Sequence, residues 1–91
     1  MPKKKKESSS LKIIEKAIAE LQPLANDQTL PKNIRNIISE AINALKDEKL
    51  APYLRASNAI SILEELDQQQ RIPPYILTIV YRISADLDTV K

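Results

Sequence analysis

Three prolines stand at a regular interval in this chain and constrain its fold more than any other feature. Pro31, Pro52 and Pro73 are 21 residues apart, and one further step back reaches Ser10. Each proline opens a segment whose apolar residues recur at helical spacing. Proline is favoured at the first helical position because its fixed φ suits a helix. The spacing therefore predicts four similar units, each a helix of about 14–17 residues followed by a short connection.

The lengths of these helices and of their connections favour one arrangement. Helices of equal length joined by links of about 4–8 residues pack as antiparallel neighbours. We therefore expect an all-α fold, a single four-helix up-and-down bundle built from four proline-started units of about 21 residues. The alternative is a right-angled stack of helical hairpins of the HEAT type. It is disfavoured because two hairpins are fewer than the three or so repeats that a solenoid needs.

Apolar stripes define the predicted core. The clearest stripe lies in the second helix and consists of Ile34, Ile37, Ile38, Ala41, Ile42 and Leu45. In the first helix we expect Ser10 to be the N-cap and Leu11 to begin the buried stripe. Pro23 should end that helix near Gln22, because a proline inside a helix removes a hydrogen bond.

The first residues differ from the rest in charge. Residues 1–10 carry a net charge of +3, whereas residues 11–91 hold 10 basic and 11 acidic side chains. We expect residues 1–9 to form a disordered basic tail and residues 10–91 to form the bundle. The candidate RNA contacts in the tail are Lys3, Lys4, Lys5 and Lys6. The alternative is a solubilising segment or a remnant of the start site.

The composition excludes several kinds of catalytic site. The chain has no Gly, Cys or His, so it cannot form a phosphate-binding glycine loop, a usual zinc site, an imidazole base or a thiolate nucleophile. We expect no enzyme, no catalytic residue, no cofactor, no metal and no small-molecule substrate. Glu64, Glu65 and Asp67 cluster at the end of the third helix, where a solvated helix end is favoured over a cation site or a patch for a basic partner.

The distribution of apolar residues also bears on location. No apolar run approaches the ~20 residues needed to cross a bilayer, and no segment resembles the apolar region of a signal peptide. We therefore expect a cytoplasmic protein that has no contact with a membrane.

Two arginines stand in the first turns of predicted helices, where a cation opposes the helix dipole. Arg35 and Arg55 follow their prolines by four and three residues. The favoured interpretation is structural: an ion pair or a carbonyl contact with the preceding loop, which contains Asp27 in one case and Asp47 and Glu48 in the other. The alternative is recognition of a partner's phosphate or carboxylate.

The aromatic residues are Tyr53, Tyr75 and Tyr81. We favour packing at the ends of the core, with the hydroxyl groups in water. The alternative is stacking on RNA bases, for which Arg55 and Arg71 are the nearby basic residues.

Several of these segments together resemble a known protein family. Leu30 to Arg35, the step Arg55-Ala56 and the run from Ala59 to Glu65 are similar to the archaeal uncharacterised protein family 0147. The resemblance covers residues 11–88 and implies a small all-helical protein, a four-helix bundle and an archaeal origin, but no activity. Family members tend to carry an Arg after the last helix-opening proline, where this chain has Leu77.

Two classes of function remain. We expect a non-enzymatic interaction or scaffold protein that docks on a protein or ribonucleoprotein partner, with homodimerisation as the simplest version. The alternative is an accessory protein that associates with RNA or the ribosome through its basic tail. Four lysines give weak and salt-sensitive binding to phosphates.

Overall fold

The computed structural model describes residues 2–90, and it describes side chains for residues 9–90. Within that part the chain is all-helical, with four α-helices and no strand. The helices are α1 (Pro2–Ala25), α2 (Lys32–Leu45), α3 (Pro52–Glu64) and α4 (Pro74–Leu87), and a 3₁₀ helix (Glu65–Gln68) continues α3. The predicted helical class is therefore confirmed.

The helices share one apolar core. Helix α1 contacts each of the other three helices, α2 packs against α3, and α3 packs against α4. The whole predicted stripe of α2 is buried, as the sequence indicated. Two buried residues that no helical stripe predicted, Leu30 and Val90, come from the loop before α2 and from the segment after α4. The core therefore extends beyond the helices.

The start of α1 corrects two expectations. Ser10 lies inside the helix and is 6 % exposed, so it is not an N-cap. Leu11 is 39 % exposed, because the buried stripe is rotated by one position and runs through Ser10, Ile14, Ala17 and Leu21. The expectation of a disordered tail over residues 1–9, and of a bundle over residues 10–91, stays a prediction.

Pro23 does not end α1, contrary to the expectation from its missing N–H. The helix continues to Ala25, and the Asn26 N–H donates to the Gln22 carbonyl at 3.1 Å. A proline in this position removes the bond to the carbonyl of Ala19, and its ring pushes against that carbonyl. Because Ala19 and Pro23 are both on the exposed side of the helix, water can reach that carbonyl. The helix therefore tolerates the proline in its last turn.

The regular spacing of the prolines does not correspond to equivalent positions in the helices. Pro52 and Pro74 occupy the first turns of α3 and α4, but Pro31 and Pro73 are the N-cap residues of α2 and α4. The N-cap equivalent to Pro31 is Ala51. Proline suits both kinds of position, since neither needs a backbone N–H within the helix. The structural repeat between the first two loops is therefore 20 residues, one fewer than the proline spacing.

The two loops before α2 and α3 have the same hydrogen bonds. In each loop an aspartate carboxylate accepts the backbone N–H of the residue two positions later. Asp27 accepts from Thr29 at 2.9 Å, and Asp47 accepts from Lys49 at 3.1 Å. The carbonyls of these aspartates accept the N–H groups of Leu30 and Leu50, both at 3.1 Å. An aspartate turn of this kind reverses the chain without glycine.

The Thr29 hydroxyl also donates to the carboxylate of Asp27, at 2.6 Å. This bond, the N–H of Thr29 and the charge of Arg35 lower the pKa of Asp27. A lowered pKa in the folded state stabilises the fold above the ordinary pKa of an aspartate, and the contribution is lost as the pH falls through the lowered value. The loop before α2 is therefore weakened by acid.

Replacement of Pro23 tests whether α1 tolerates this residue at a cost. We expect Pro23→Ala to raise the free energy of unfolding by about 1–2 kcal/mol, since the helix regains one hydrogen bond and loses part of the entropic benefit of proline in the unfolded chain. Urea denaturation measures the change, and Gln22→Ala, an exposed neighbour, is the control. A decrease in stability would contradict this account of the last turn.

Candidate interaction surface

Arg35 and Arg55 make the same contact with the loops that precede their helices. The Nε of Arg35 donates to the Leu30 carbonyl at 3.1 Å, and that of Arg55 donates to the Leu50 carbonyl at 2.8 Å. Each arginine is half-buried and reaches back by five residues. The contacts go to carbonyl oxygens, and the aspartates of the two loops accept backbone N–H groups instead. Neither guanidinium extends freely into water, which is the geometry that the structural interpretation requires.

The three tyrosines lie on the surface. More than half of each is exposed: 53 % of Tyr53, 55 % of Tyr75 and 54 % of Tyr81. This exposure is larger than expected for residues that close the ends of the core. The Tyr81 hydroxyl donates to the Asp67 carboxylate at 2.5 Å, and this bond raises the pKa of Tyr81. It joins α4 to the 3₁₀ helix after α3.

The exposed side of α4 has an unusual composition for a helix surface. It contains two tyrosines, a proline, a threonine, an alanine and one charged residue; these are Tyr75, Tyr81, Pro74, Thr78, Ala85 and Arg82. Arg82, the charged one, pairs with Glu20 of α1. By contrast, the exposed side of α2 is made of Lys32, Asn33, Asn36, Glu40 and Asn43. Surfaces rich in tyrosine and arginine and poor in other charges are typical of protein interfaces. We name this set of six residues the α4 face.

A groove lies between α3 and the segment that ends α4. Its volume is about 380 Å³. One side is a helical row on α3 that includes Tyr53, Ile60 and Glu64, and the other side is formed by Leu87 and Val90. We name it the α3–α4 groove. It combines an apolar floor with an open polar rim.

Two further groups of candidate residues are the tail lysines and the acidic residues that follow α3. The backbone of Lys3, Lys4, Lys5 and Lys6 is part of α1, but their side chains lie outside the described residues. In residues 9–90, no group of three or more acidic side chains has a metal-binding arrangement. The carboxylates of Glu64, Glu65 and Asp67 have different surroundings, because Glu64 lines the α3–α4 groove and Asp67 accepts the bond from Tyr81.

None of the helices that the structure describes combines the length and the apolar character that a membrane span requires.

Sequence reasoning identified the tyrosines and the carboxylates but not the surfaces that they share. The α4 face was detectable in principle, because its members recur at helical spacing and only one of them is charged. The α3–α4 groove was not, since Val90 lies beyond the last predicted stripe and only the packing of α4 on α3 brings it to Tyr53.

Comparison with known proteins connects this architecture to a family. The model of the uncharacterised protein family UPF0147 matches residues 1–90. The chain belongs to this family. A UPF0147 protein of Sulfurisphaera tokodaii is 41 % identical over 78 residues, which cover 86 % of this chain and 88 % of that protein. A relative from Desulfurococcus amylolyticus is 38 % identical over 74 residues, or 81 % of each chain. No solved structure has a significant match to the chain.

This UPF0147 chain departs from its own repeat before α4. Leu77 follows Ile72 by five residues, the separation that Arg35 and Arg55 have from Leu30 and Leu50. Leu77 is half-buried and packs against the core. An apolar side chain cannot donate to the carbonyl of the loop. The last linker is held instead by the bond between Tyr81 and Asp67 and by a bond from Asn33 to Gln69.

The arginine contacts predict a loss of stability on truncation. We expect Arg35→Ala and Arg55→Ala each to lower the free energy of unfolding by about 1–3 kcal/mol, because a half-buried carbonyl loses its donor. Arg82→Ala removes an arginine that is 61 % exposed and paired at the surface, and it should cost less than about 1 kcal/mol. Urea denaturation compares the three variants. An equal effect of Arg82→Ala would contradict the special role of the other two.

The bond from Tyr81 to Asp67 predicts an effect on titration. In Asp67→Asn we expect one tyrosine to ionise at a lower pH than in the parent protein, because the carboxylate that accepts the hydrogen bond of the neutral hydroxyl is gone. Because the raised pKa of Tyr81 favours the neutral form in the fold, this stabilisation is lost as the pH rises through that value. Tyrosinate absorbance during an alkaline titration measures the shift. An unchanged curve would show that the bond does not form in solution.

Proposed function

We propose that this UPF0147 protein is a non-enzymatic helical interaction protein, which docks on a protein or ribonucleoprotein partner through the α4 face. The observation that carries the proposal is the composition of that face: two tyrosines more than half exposed and a single charge, which is already paired. Exposed tyrosines of this kind contribute large contact area at low entropic cost, and fully buried tyrosines and arginines dominate binding energy at interfaces. The inventory without Gly, Cys and His agrees with a role without catalysis.

We further propose that the helices form an up-and-down bundle. The contacts of α1 with α2, of α2 with α3, of α3 with α4 and of α4 with α1 support a closed ring of neighbours, within which α1 also contacts α3. In a stack of two hairpins, α4 would not contact α1. A bundle leaves each helix one outward face, and on α4 that face is the one that we assign to the partner. The cytoplasm is the compartment that we propose for this protein.

A second copy of the chain is the simplest partner. Ile13, Leu77 and Ile79 are half-buried at the edge of the core, so a dimer could cover apolar area that one core leaves in water. Light scattering at high concentration distinguishes this version from a different partner. A monomer at high concentration would exclude homodimerisation and leave docking on a different protein or ribonucleoprotein.

The alternative function is association with RNA or the ribosome through Lys3, Lys4, Lys5 and Lys6. The charge of the tail favours it, because four lysines release counterions from phosphates. Nine basic and eleven acidic side chains are otherwise spread over residues 11–90, which does not favour a dedicated nucleic-acid domain. We therefore rank it second.

Capture of the partner by tagged protein tests the assignment of the α4 face. We expect Thr78→Arg to abolish capture from a lysate of the source organism, because it places a long charged side chain in the middle of the face, one turn from both Pro74 and Arg82. The control is Asn43→Arg, the same change on the exposed side of α2. Both variants should melt at the temperature of the parent protein.

The outcomes separate the two functions. Capture that survives nuclease and fails only in Thr78→Arg supports a protein partner. Capture that disappears with nuclease and requires residues 3–6 supports the RNA alternative. Equal capture by Thr78→Arg and Asn43→Arg would contradict the proposal for α4.

A further inference from the structure

The α3–α4 groove has features of a binding site that the α4 face does not share. Its floor is formed by Ala56, Leu87 and Val90, which are all buried, and by the half-buried Ile60. Tyr53 stands at the end nearest the start of α3 and is 53 % exposed. The floor is apolar, and the volume of about 380 Å³ lies in the range of ligand sites.

The charges of the α3–α4 groove all have one sign. Among the described residues that line it, Glu64 and Asp88 are the charged ones, and two serines, Ser57 and Ser61, lie between Glu64 and Tyr53 on α3. A second groove, of about 420 Å³ between α1, α2 and α3, has both signs, since Lys46 and Arg55 line it together with two glutamates. Of these two grooves, the α3–α4 groove is the one whose described charges all favour a cationic ligand.

We propose that the α3–α4 groove binds a lysine-rich segment of a partner polypeptide. A lysine side chain matches both parts of the groove: its aliphatic stem covers Ile60 and Val90, and its ammonium group pairs with Glu64 or Asp88. The ring of Tyr53 offers a cation–π contact to a further lysine. Asp88 is the C-cap residue of α4 and no described side chain donates to its carboxylate, so it is available to a ligand.

This inference rests on the proposal that the chain is an interaction protein, and it adds the chemistry of a partner at a second surface. The α4 face and the α3–α4 groove share none of their residues. A variant at Thr78, in the middle of the α4 face and ten residues before Asp88, therefore leaves the groove intact.

The test measures binding of a fluorescent peptide of alternating lysine and alanine to the full chain by anisotropy, at low and moderate salt. We expect Glu64→Gln and Asp88→Asn each to weaken binding by about twofold to fivefold, because each removes one partly exposed ion pair. Glu40→Gln, the same charge change on the exposed side of α2, should leave the affinity unchanged, and Tyr53→Ala should weaken it where Tyr75→Ala does not.

Three results would overturn the inference. The first is an equal loss of affinity in Glu40→Gln and Glu64→Gln, which would reduce the effect to net charge. The second is equal binding of a matched peptide in which glutamate replaces lysine. The third is a dimer of the full chain that Glu64→Gln dissociates, which would assign the groove to a second copy. Thr78→Arg should bind the peptide normally, because position 78 of α4 is ten residues before Asp88, so failure at the α4 face and failure at the groove are distinguishable.

Discussion

The structure depends on reversing the chain between helices without left-handed backbone. The sequence contains no glycine, and none of the residues that the structure describes has a positive φ. The usual helix end, with glycine in the left-handed region, is therefore absent, and the C-caps of α2 and α4 stay in the right-handed helical region. The turns before α2 and α3 are made instead by aspartate carboxylates that accept backbone N–H groups. These turns place Leu30 in the core and so connect loop geometry to core packing.

The same constraint explains the arginines. The N-caps of α2 and α3 are Pro31 and Ala51, and neither has a side chain that can cap. The contact from Arg35 or Arg55 ties the start of the helix to the loop carbonyl and offsets the unfavourable position of a cation at a helix N-terminus. Among the described residues, the loop before α4 has neither an aspartate turn nor an arginine contact of the kind that Arg35 and Arg55 make. Its polar bonds, from Tyr81 to Asp67 and from Asn33 to Gln69, are exposed, so burial of the apolar side of α4 contributes most to holding that helix.

The parts of the fold that the sequence predicted are those governed by local periodicity. The stripe of α2 was correct at every position because polar residues flank it on both sides. The stripe of α1 was displaced to include Leu11, because α1 has apolar residues at adjacent positions, Ile13 and Ile14, and only contacts with other helices decide between them. The predicted end of α1 near Gln22 was wrong for a similar reason. The energetic cost of Pro23 in the helix depends on whether water reaches the Ala19 carbonyl, and the sequence alone does not show this.

The two surfaces could be predicted only in part, because a surface depends on which residues the core leaves out. The α4 face follows from a helical projection once the buried side of α4 is known, since Ile76, Val80, Ile83 and Leu87 fix its opposite. The α3–α4 groove requires the return of Val90 to the core, which brings Asp88 to the side of α3 that carries Glu64. The Val90 N–H donates to the Leu87 carbonyl at 3.1 Å, and the side chain of Val90 is packed in the core, where it is 7 % exposed. The last turn after α4 therefore does two things at once: it closes the core and sets the sign of the charge beside it.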